Sequence, residues 1–521
     1  MPKNKSMKIK TIFTAIFLSA TQFIFAQQFE CKTTKPVNYP WYFFVNYIAY
    51  STENTNYYYG INNYDYWGEY TIISKTYFGK KDKNWYVIPV NKQTNTPSPA
   101  FVFNIYYNDI DGKTERSISR CIPYKSTIDS VVWYGIGTYQ MNQYWLFEKK
   151  IHPNGEVFQE WSPKVYLGMI PDSKDQQDFR ECSKDGENLN LYIYQYNKEM
   201  TNRTDYYKLT PTLKFIHKLS ITMPALTVDD RTVFSSAIEN NKQYFCVKND
   251  MNESFIFRTW DYDSNAEVME NKLIISTNGK GINSYETSYD QVKKQLTIVG
   301  AYRNDKLKNK LLSDGLFCIK VDLPASKIIS EVFSPFEPTF GKDNNPRAGT
   351  YGKRTDQQFF SLLPLRTHAF PDGTVLLHFC SYNDYPRAEG GQMGALFNPE
   401  GQVKKVFFIG GKNDKLDEMR QGKYADMFLH KGKPVFIVKG NVGDLTSTTF
   451  KEAGKGPEAL LWIAVDSEGN REVKEIFQYK ARKDLKNLRP RYIKKFENNE
   501  FYFRFRPDTD EYQFGSIKVI D

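Results

Sequence analysis

The sequence predicts an all-β chain with very little helix, assembled from a repeated antiparallel unit, and three observations predict it. The first is a short hairpin turn written four times between apolar runs: Asp109-Ile110-Asp111-Gly112, His152-Pro153-Asn154-Gly155, Asn398-Pro399-Glu400-Gly401 and Asp466-Ser467-Glu468-Gly469. Asn, Asp or Glu stands third in each, and Gly closes the turn where φ must be positive, as in a type I turn followed by a G1 bulge. The second is the extended runs on either side, such as Gly394 to Phe397 leading in and Val403 to Ile409 leading out. The third is spacing: successive copies begin about 45 to 80 residues apart, the size of one four-stranded unit. A hairpin cannot bury its own faces, so many hairpins in one chain must stack on one another.

The chain opens on an export signal. Lys3, Lys5, Lys8 and Lys10 form a charged start, Ile12 to Phe25 is apolar, and Ala26 offers a small residue before Gln27. The apolar run falls short of the roughly 20 residues that span a bilayer, which favours a cleaved leader over residues 1–26. Cys31 follows Gln28-Phe29-Glu30, not the small apolar residues that lipidation needs. The expected location is periplasmic or extracellular, and no later segment is apolar enough to cross a membrane. Of the formal charge of +10, four lysines lie in the leader with no acid beside them, leaving +6 on residues 27–521. That balance, with no arginine-rich arm, excludes a nucleic-acid partner.

No Pro/Gly/Ser-rich linker or charge block divides residues 27–521, so one large repeat domain is expected. The aromatic runs Trp41 to Tyr50 and Tyr57 to Phe78 add a further unit or close the repeat against Ser516 to Ile520. Then come eight copies of a two-strand core. They are Trp85 to Val90 with Phe101 to Tyr107, Val131 to Thr138 with Tyr144 to Lys150, Leu189 to Tyr196 with Tyr206 to Leu209, and Gln243 to Val247 with Ser254 to Trp260. The rest are Gln295 to Tyr302 with Leu316 to Val321, Thr374 to Tyr382 with Gly394 to Phe397, Val435 to Lys439 with Ala459 to Val465, and Phe501 to Phe505 with Gly515 to Ile520. Asp414 to Gln421, with Asn413 before it and Gly422 after it, reads as a connecting helix. A β-sandwich would need several domains and the missing linkers, and a β-helix has shorter rungs. Unit-sized spacing therefore points to a β-propeller of about seven to eight four-stranded blades.

One copy carries a resemblance. Phe370-Pro371-Asp372-Gly373-Thr374-Val375-Leu376-Leu377, followed by Gly394-Ala395-Leu396-Phe397-Asn398-Pro399-Glu400-Gly401, resembles the two-strand repeats of secreted bacterial β-propellers. The match is partial in the copies containing Gly155 and Gly469. It degenerates between Leu189 and Val321, where Gly is absent from the second turn. The resemblance implies a scaffold but no particular activity, and the leader and composition suggest a Gram-negative bacterium.

Motifs for chemistry are sparse. His378 and Cys380 alternate along one strand and leave the same face, as two metal ligands would, yet their spacing supplies no further ligand and a packed core pair is expected. Asp261-Tyr262-Asp263-Ser264-Asn265 places Asp261, Asp263 and Asn265 at calcium-loop spacing. Ala266 stands where such a loop needs Gly and no Glu follows at the twelfth position, so no cofactor or metal is expected. The six cysteines include Cys246, Cys318 and Cys380 inside apolar strands; buried thiols and one or two disulfides are both open readings. G-x-S-x-G, H-E-x-x-H and phosphate-loop signatures are missing.

Two stretches break the rhythm. Ser334 to Phe370 is a long insertion containing Arg347, Tyr351 and Arg354, and Tyr57 to Tyr70 packs Tyr66 and Trp67 among amides and carboxylates. A cationic loop and clustered aromatic faces suit ligand binding, although aromatics make up 16% of the whole chain. Tyr66, Trp67, Arg347, Tyr351 and Arg354 are the candidate ligand residues. The leading expectation is a monomeric exported binding or scaffold protein for a glycan, peptide or protein partner, with no catalytic role. A carbohydrate-active hydrolase or lyase is the first alternative, using carboxylates such as Asp65, Asp261 or Asp384, and a structural envelope protein is the second.

Overall fold

The computed structural model describes residues 29–520, apart from segments 63–84, 109–114, 170–176, 225–230, 236–241, 305–311, 345–355, 382–388, 416–426, 446–455, 506–510 and shorter pieces of other loops. The leader expected over residues 1–26 lies outside the described residues. The fold is all-β: multiple four-stranded antiparallel sheets follow one another along the chain, and among the described residues the one α-helix is the short Phe340–Asn344.

Sheet one is Phe43–Ser51, Thr55–Asn62, Trp85–Asn91 and Phe101–Phe103. Sheet two is Ser119–Ser126, Val131–Tyr139, Gln143–Ile151 and Val157–Met169. Sheet three is Gln177–Asp185, Asn188–Tyr196, Thr201–Leu209 and Phe215–Pro224. Sheet four is Arg231–Ser235, Lys242–Asn249, Ser254–Asp261 and Ala266–Ser276. Sheet five is Gly281–Asp290, Gln295–Arg303, Gly315–Asp322 and Lys327–Pro335. Sheet six is Leu362–Ala369, Val375–Ser381, Glu389–Phe397 and Val403–Lys415. Sheet seven is Met427–His430, Lys433–Asn441, Glu458–Val465 and Arg471–Gln478. In each, sequence order is also spatial order, so every connection inside a sheet joins antiparallel neighbours.

The eighth sheet is different. Ile493–Lys495, Glu500–Phe505 and Glu511–Val519 supply three strands, and the fourth is the first described strand of the chain, Phe29–Thr33. Phe29 pairs with Val519 and Thr33 with Gly515, and Val37–Asn38 continues along the same edge against Tyr512 and Glu511. The first and last described strands therefore meet in one sheet.

Alternation along the strands fixes which face each residue presents. In sheet six, Val375, Leu377 and Phe379 pack with Val299, Ala301 and Leu316 of sheet five. Leu376 from the opposite face packs with Phe436, Val438 and Ile463 of sheet seven. A central strand is thus apolar on both sides, which is why the second and third strands read as continuous hydrophobic runs. The same sharing joins sheets two and three through Tyr134, Leu146, Leu189 and Tyr207, and sheets four and five through Phe255, Leu296 and Phe317. Sheets seven and eight share Ile437, Trp462, Phe501 and Ile517. First strands of successive sheets also touch: those of sheets one and two, two and three, four and five, and five and six.

Three expectations need correction. The pair Trp85 to Val90 and Phe101 to Tyr107 is the third and fourth strands of sheet one, not its central pair, because Thr55–Asn62 is its second strand. The turn at Asp109 does not close a sheet: Tyr106–Asn108 and Glu115–Ser117 form a separate two-stranded hairpin between sheets one and two. Asp414 and Lys415 belong to the strand Val403–Lys415, where Asp414 pairs with Gly390, so a helix does not start at Asp414.

Candidate functional site

Topology gives every sheet two unlike ends. Turns between strands one and two, and between three and four, lie at one end; the connections between strands two and three, and between sheets, lie at the other. Three of the four repeated turns, those closed by Gly155, Gly401 and Gly469, occupy the first end. Gly401 N donates to Asn398 O at 2.9 Å, Asn398 N donates to Gln402 O at 2.9 Å, and Gly401 has φ +93°. The same pair of bonds recurs at His152–Glu156, Phe370–Thr374 and Asp466–Asn470. It also recurs at Thr210–Lys214, where no Gly is present and Leu213 itself takes φ +60°.

These turns lock onto the neighbouring sheets. Lys320 of sheet five, 5% exposed, donates from Nζ to three carbonyls of sheet-six turns: Pro399 at 2.7 Å, Gly373 at 3.3 Å and Asn398 at 3.4 Å. Lys405 of sheet six reaches Gly469 O at 3.2 Å, Lys404 pairs with Glu468, and Ser467 donates to Asp372. Burial pulls the Lys320 amine below the ordinary lysine range, with Cys318 and Glu400 acting against it, while the three carbonyls accept from the amine. This end of the molecule is a fastening.

The opposite end carries additions to the repeat, and the two that are described are tied to the sheets beside them. The hairpin at Tyr106 places Tyr107 against Phe147 at 4.4 Å, with its hydroxyl on Thr138 O, while Arg116 Nη1 donates to Thr138 Oγ1 at 3.2 Å. The insertion after sheet five is held at both stems. Phe336 stacks on Phe340 at 4.4 Å, and Phe359–Phe360 pairs with Leu312–Ser313 from the connection inside sheet five. Gln358 Nε2 donates to Asp314 Oδ1 at 2.8 Å, Asp314 Oδ2 accepts from Asn304 N at 2.7 Å, and Lys280 Nζ donates to Asn304 Oδ1 at 2.9 Å. Lys280 also lies over the Tyr302 ring at 4.7 Å; burial, with the Asp314 carboxylate, raises that phenol to about 12.

Between the ends, the first strands of sheets five and six lie side by side. Ser284 Oγ donates to Leu362 O at 2.8 Å and Thr367 Oγ1 donates to Thr287 O at 2.7 Å. Glu286 falls between these ties. Burial raises its carboxyl above the usual range against the opposing pull of Arg366, so it holds a proton more readily than a surface glutamate. Sequence reasoning nominated other acids because a first strand carries no turn motif to mark it. The one available signal was a Glu between Tyr285 and Thr287 in an extended run just before a core strand.

Tyr66, Trp67, Arg347, Tyr351 and Arg354 lie outside the described residues, as do Asp65, Asp263, Asn265 and Asp384. Asp261 ends the third strand of sheet four. His378 and Cys380 are both fully buried: His378 Nε2 donates to Gln392 Oε1 at 3.0 Å and the ring meets Phe436 at 4.7 Å. Among the described residues no group of three or more His, Cys, Asp or Glu side chains could hold a metal ion. All six cysteines are free thiols, five of them buried, in six different sheets. Among the described residues no helix is long and apolar enough to cross a membrane.

No family profile matches the chain. No curated protein matches it either. Solved structures do resemble it. The WD40 domain of SCAP from fission yeast is similar over 94% of this chain and 98% of its own, at 8% identity and a TM-score of 0.32. A point mutant of the apocarotenoid oxygenase from Synechocystis is similar over 74% and 80%, at 8% identity and a TM-score of 0.27. A mutant of the Aleuria aurantia lectin, in complex with α-methyl-L-fucoside, is similar over 71% and 97%, at 10% identity and a TM-score of 0.25. Likenesses this distant carry no argument about ligand or activity.

Proposed function

We propose that the eight sheets are blades of one closed β-propeller, and that the chain is an exported binding protein whose ligand, a glycan, peptide or protein, sits on the end opposite the repeated turns. Closure is supported by the N-terminal strand Phe29–Thr33 completing the last sheet and by the contacts between first strands of successive sheets. One observation carries the binding reading. The strands flanking 63–84 and the stems flanking 345–355 all end on the side of their sheets away from the turns between strands three and four, which supports a binding face on that side. Loops on one face of a rigid scaffold are where recognition residues accumulate.

A glycan and peptide array with the purified mature protein tests this. A hit that weakens at least tenfold in both Trp67→Ala and Tyr351→Ala is expected. A hit untouched by both changes, or none across broad panels, would sink the reading. The hydrolase or lyase alternative draws on Glu286, whose carboxyl on the first strand of sheet five burial raises above its usual range. It requires turnover of a polysaccharide that Glu286→Gln abolishes.

A further inference from the structure

His378 sits at the seam between sheets six and seven. Its side chain is completely buried, its ring meets Phe436 of sheet seven at 4.7 Å, and Nε2 donates to Gln392 Oε1 at 3.0 Å. Nδ1 is enclosed without a hydrogen-bond partner, so a proton arriving there would find no acceptor. The titratable neighbours in its own sheet are Cys380, two residues along the strand, and Arg366 and His368 on the first strand, with Arg366 directly opposite in the pairing register. From sheet seven the apolar part of the seam is Phe436, Val438, Leu461 and Ile463, Arg471 crosses it to donate to Phe408 O at 2.8 Å, and the groups that act on the imidazole are Gln392 and Arg366, neither of them an acid.

We propose that His378 makes the seam between sheets six and seven acid-labile, so that protonation of this one imidazole loosens the packing of the two sheets. The cation would lie in an apolar layer, beside a guanidinium and without a carboxylate, and the structure relieves it only by admitting water. Burial depresses the imidazole to about 3 in the folded chain, with the Arg366 charge acting in the same direction, against an ordinary value of 6.5. The unfolded or opened chain then binds more protons between those two values, so stability is full above pH 6.5 and falls as pH drops towards 3. Each pH unit inside that window costs up to about tenfold in the folding equilibrium constant.

Urea unfolding from about pH 7 to about 4.5, read by Trp fluorescence, tests the proposal in His378→Phe and wild type. The ring of Phe fits the contact with Phe436 and cannot titrate. Expected is a wild-type folding constant that falls at least tenfold more over that range than the variant's; equal falls would overturn the idea. If His378→Phe does not fold, NMR of ring-labelled wild type decides instead. A His378 signal that stays neutral until the acid transition supports the proposal, and one that titrates near the ordinary imidazole value in the native state refutes it.

Discussion

At the residue scale the turns set a strict geometric requirement. Gly401 sits at φ +93°, well outside the region an L side chain tolerates, and an added Cβ would lie 3.3 Å from Ser330 Oγ and 3.4 Å from Cys318 Sγ. Gly401→Ala should therefore cost about 1–3 kcal/mol in urea unfolding. Leu213 is the contrast, since φ +60° lies inside the left-handed well and its side chain packs against the core shared by sheets two and three. Leu213→Gly trades strain relief against lost packing and a freer unfolded chain, so its stability should stay within about 1 kcal/mol of wild type. Equal costs at the two positions would show that the turns differ less than their backbone angles say. The same comparison explains why the resemblance fades in the middle repeats. Gly marks the turn for the eye, whereas the chain needs only a positive φ, and Leu213 meets that need without the mark.

At the scale of elements, the staples between sheets carry unequal weight. Lys320 is buried and donates to three carbonyls, and Lys320→Met would leave Pro399, Gly373 and Asn398 oxygens short of their donor. A loss of about 2–3 kcal/mol is expected, against less than about 1 kcal/mol for Lys404→Met, whose pair with Glu468 is exposed on both sides. Chemical denaturation of the two variants in parallel checks the ranking; a larger loss at Lys404 would contradict it. Nothing in the sequence distinguishes these two lysines, because their difference lies in what the next sheet brings over them. Strand cores were legible for the opposite reason. Val435 to Lys439 and Ala459 to Val465 are buried on both faces, and a run of β-branched and large apolar residues reports that directly. The first pair was read one strand late because a long connection, 63–84, separates the true second and third strands of sheet one, and the spacing rule assumes short ones. Asp414 was read as helical because its flanking Asn and Gly imitate caps, while register with Gly390 decides for strand.

At the scale of the whole molecule, the eighth sheet depends on both chain ends. Deleting residues 29–34 would strip the outer strand from Glu511–Val519 and expose its backbone as an open edge. A lower melting temperature and a shift towards oligomers in size-exclusion chromatography are expected; an unchanged monomer would show that Phe29–Thr33 is dispensable. The candidate face was only partly legible, since the sequence exposed which segments interrupt the repeat but not that their flanking strands end on one side. Glu286 and the stem contacts Asp314–Gln358 and Lys280–Asn304 join residues far apart in the chain, and no local pattern announces them.

The meeting of Phe29 with Val519 also sets an order of events in time. Phe29–Thr33 is synthesised long before its partner Glu511–Val519. Sheets one to seven can form as their residues appear, each from neighbours in sequence, but the eighth must wait for Glu511–Val519. Until then Phe29–Thr33 lacks its ladder partner, and completing the eighth sheet is a capture between strands far apart in sequence. Slowing that capture, by shortening the C-terminus or diluting it with a competing strand, should trap a species with seven finished sheets and one vacancy.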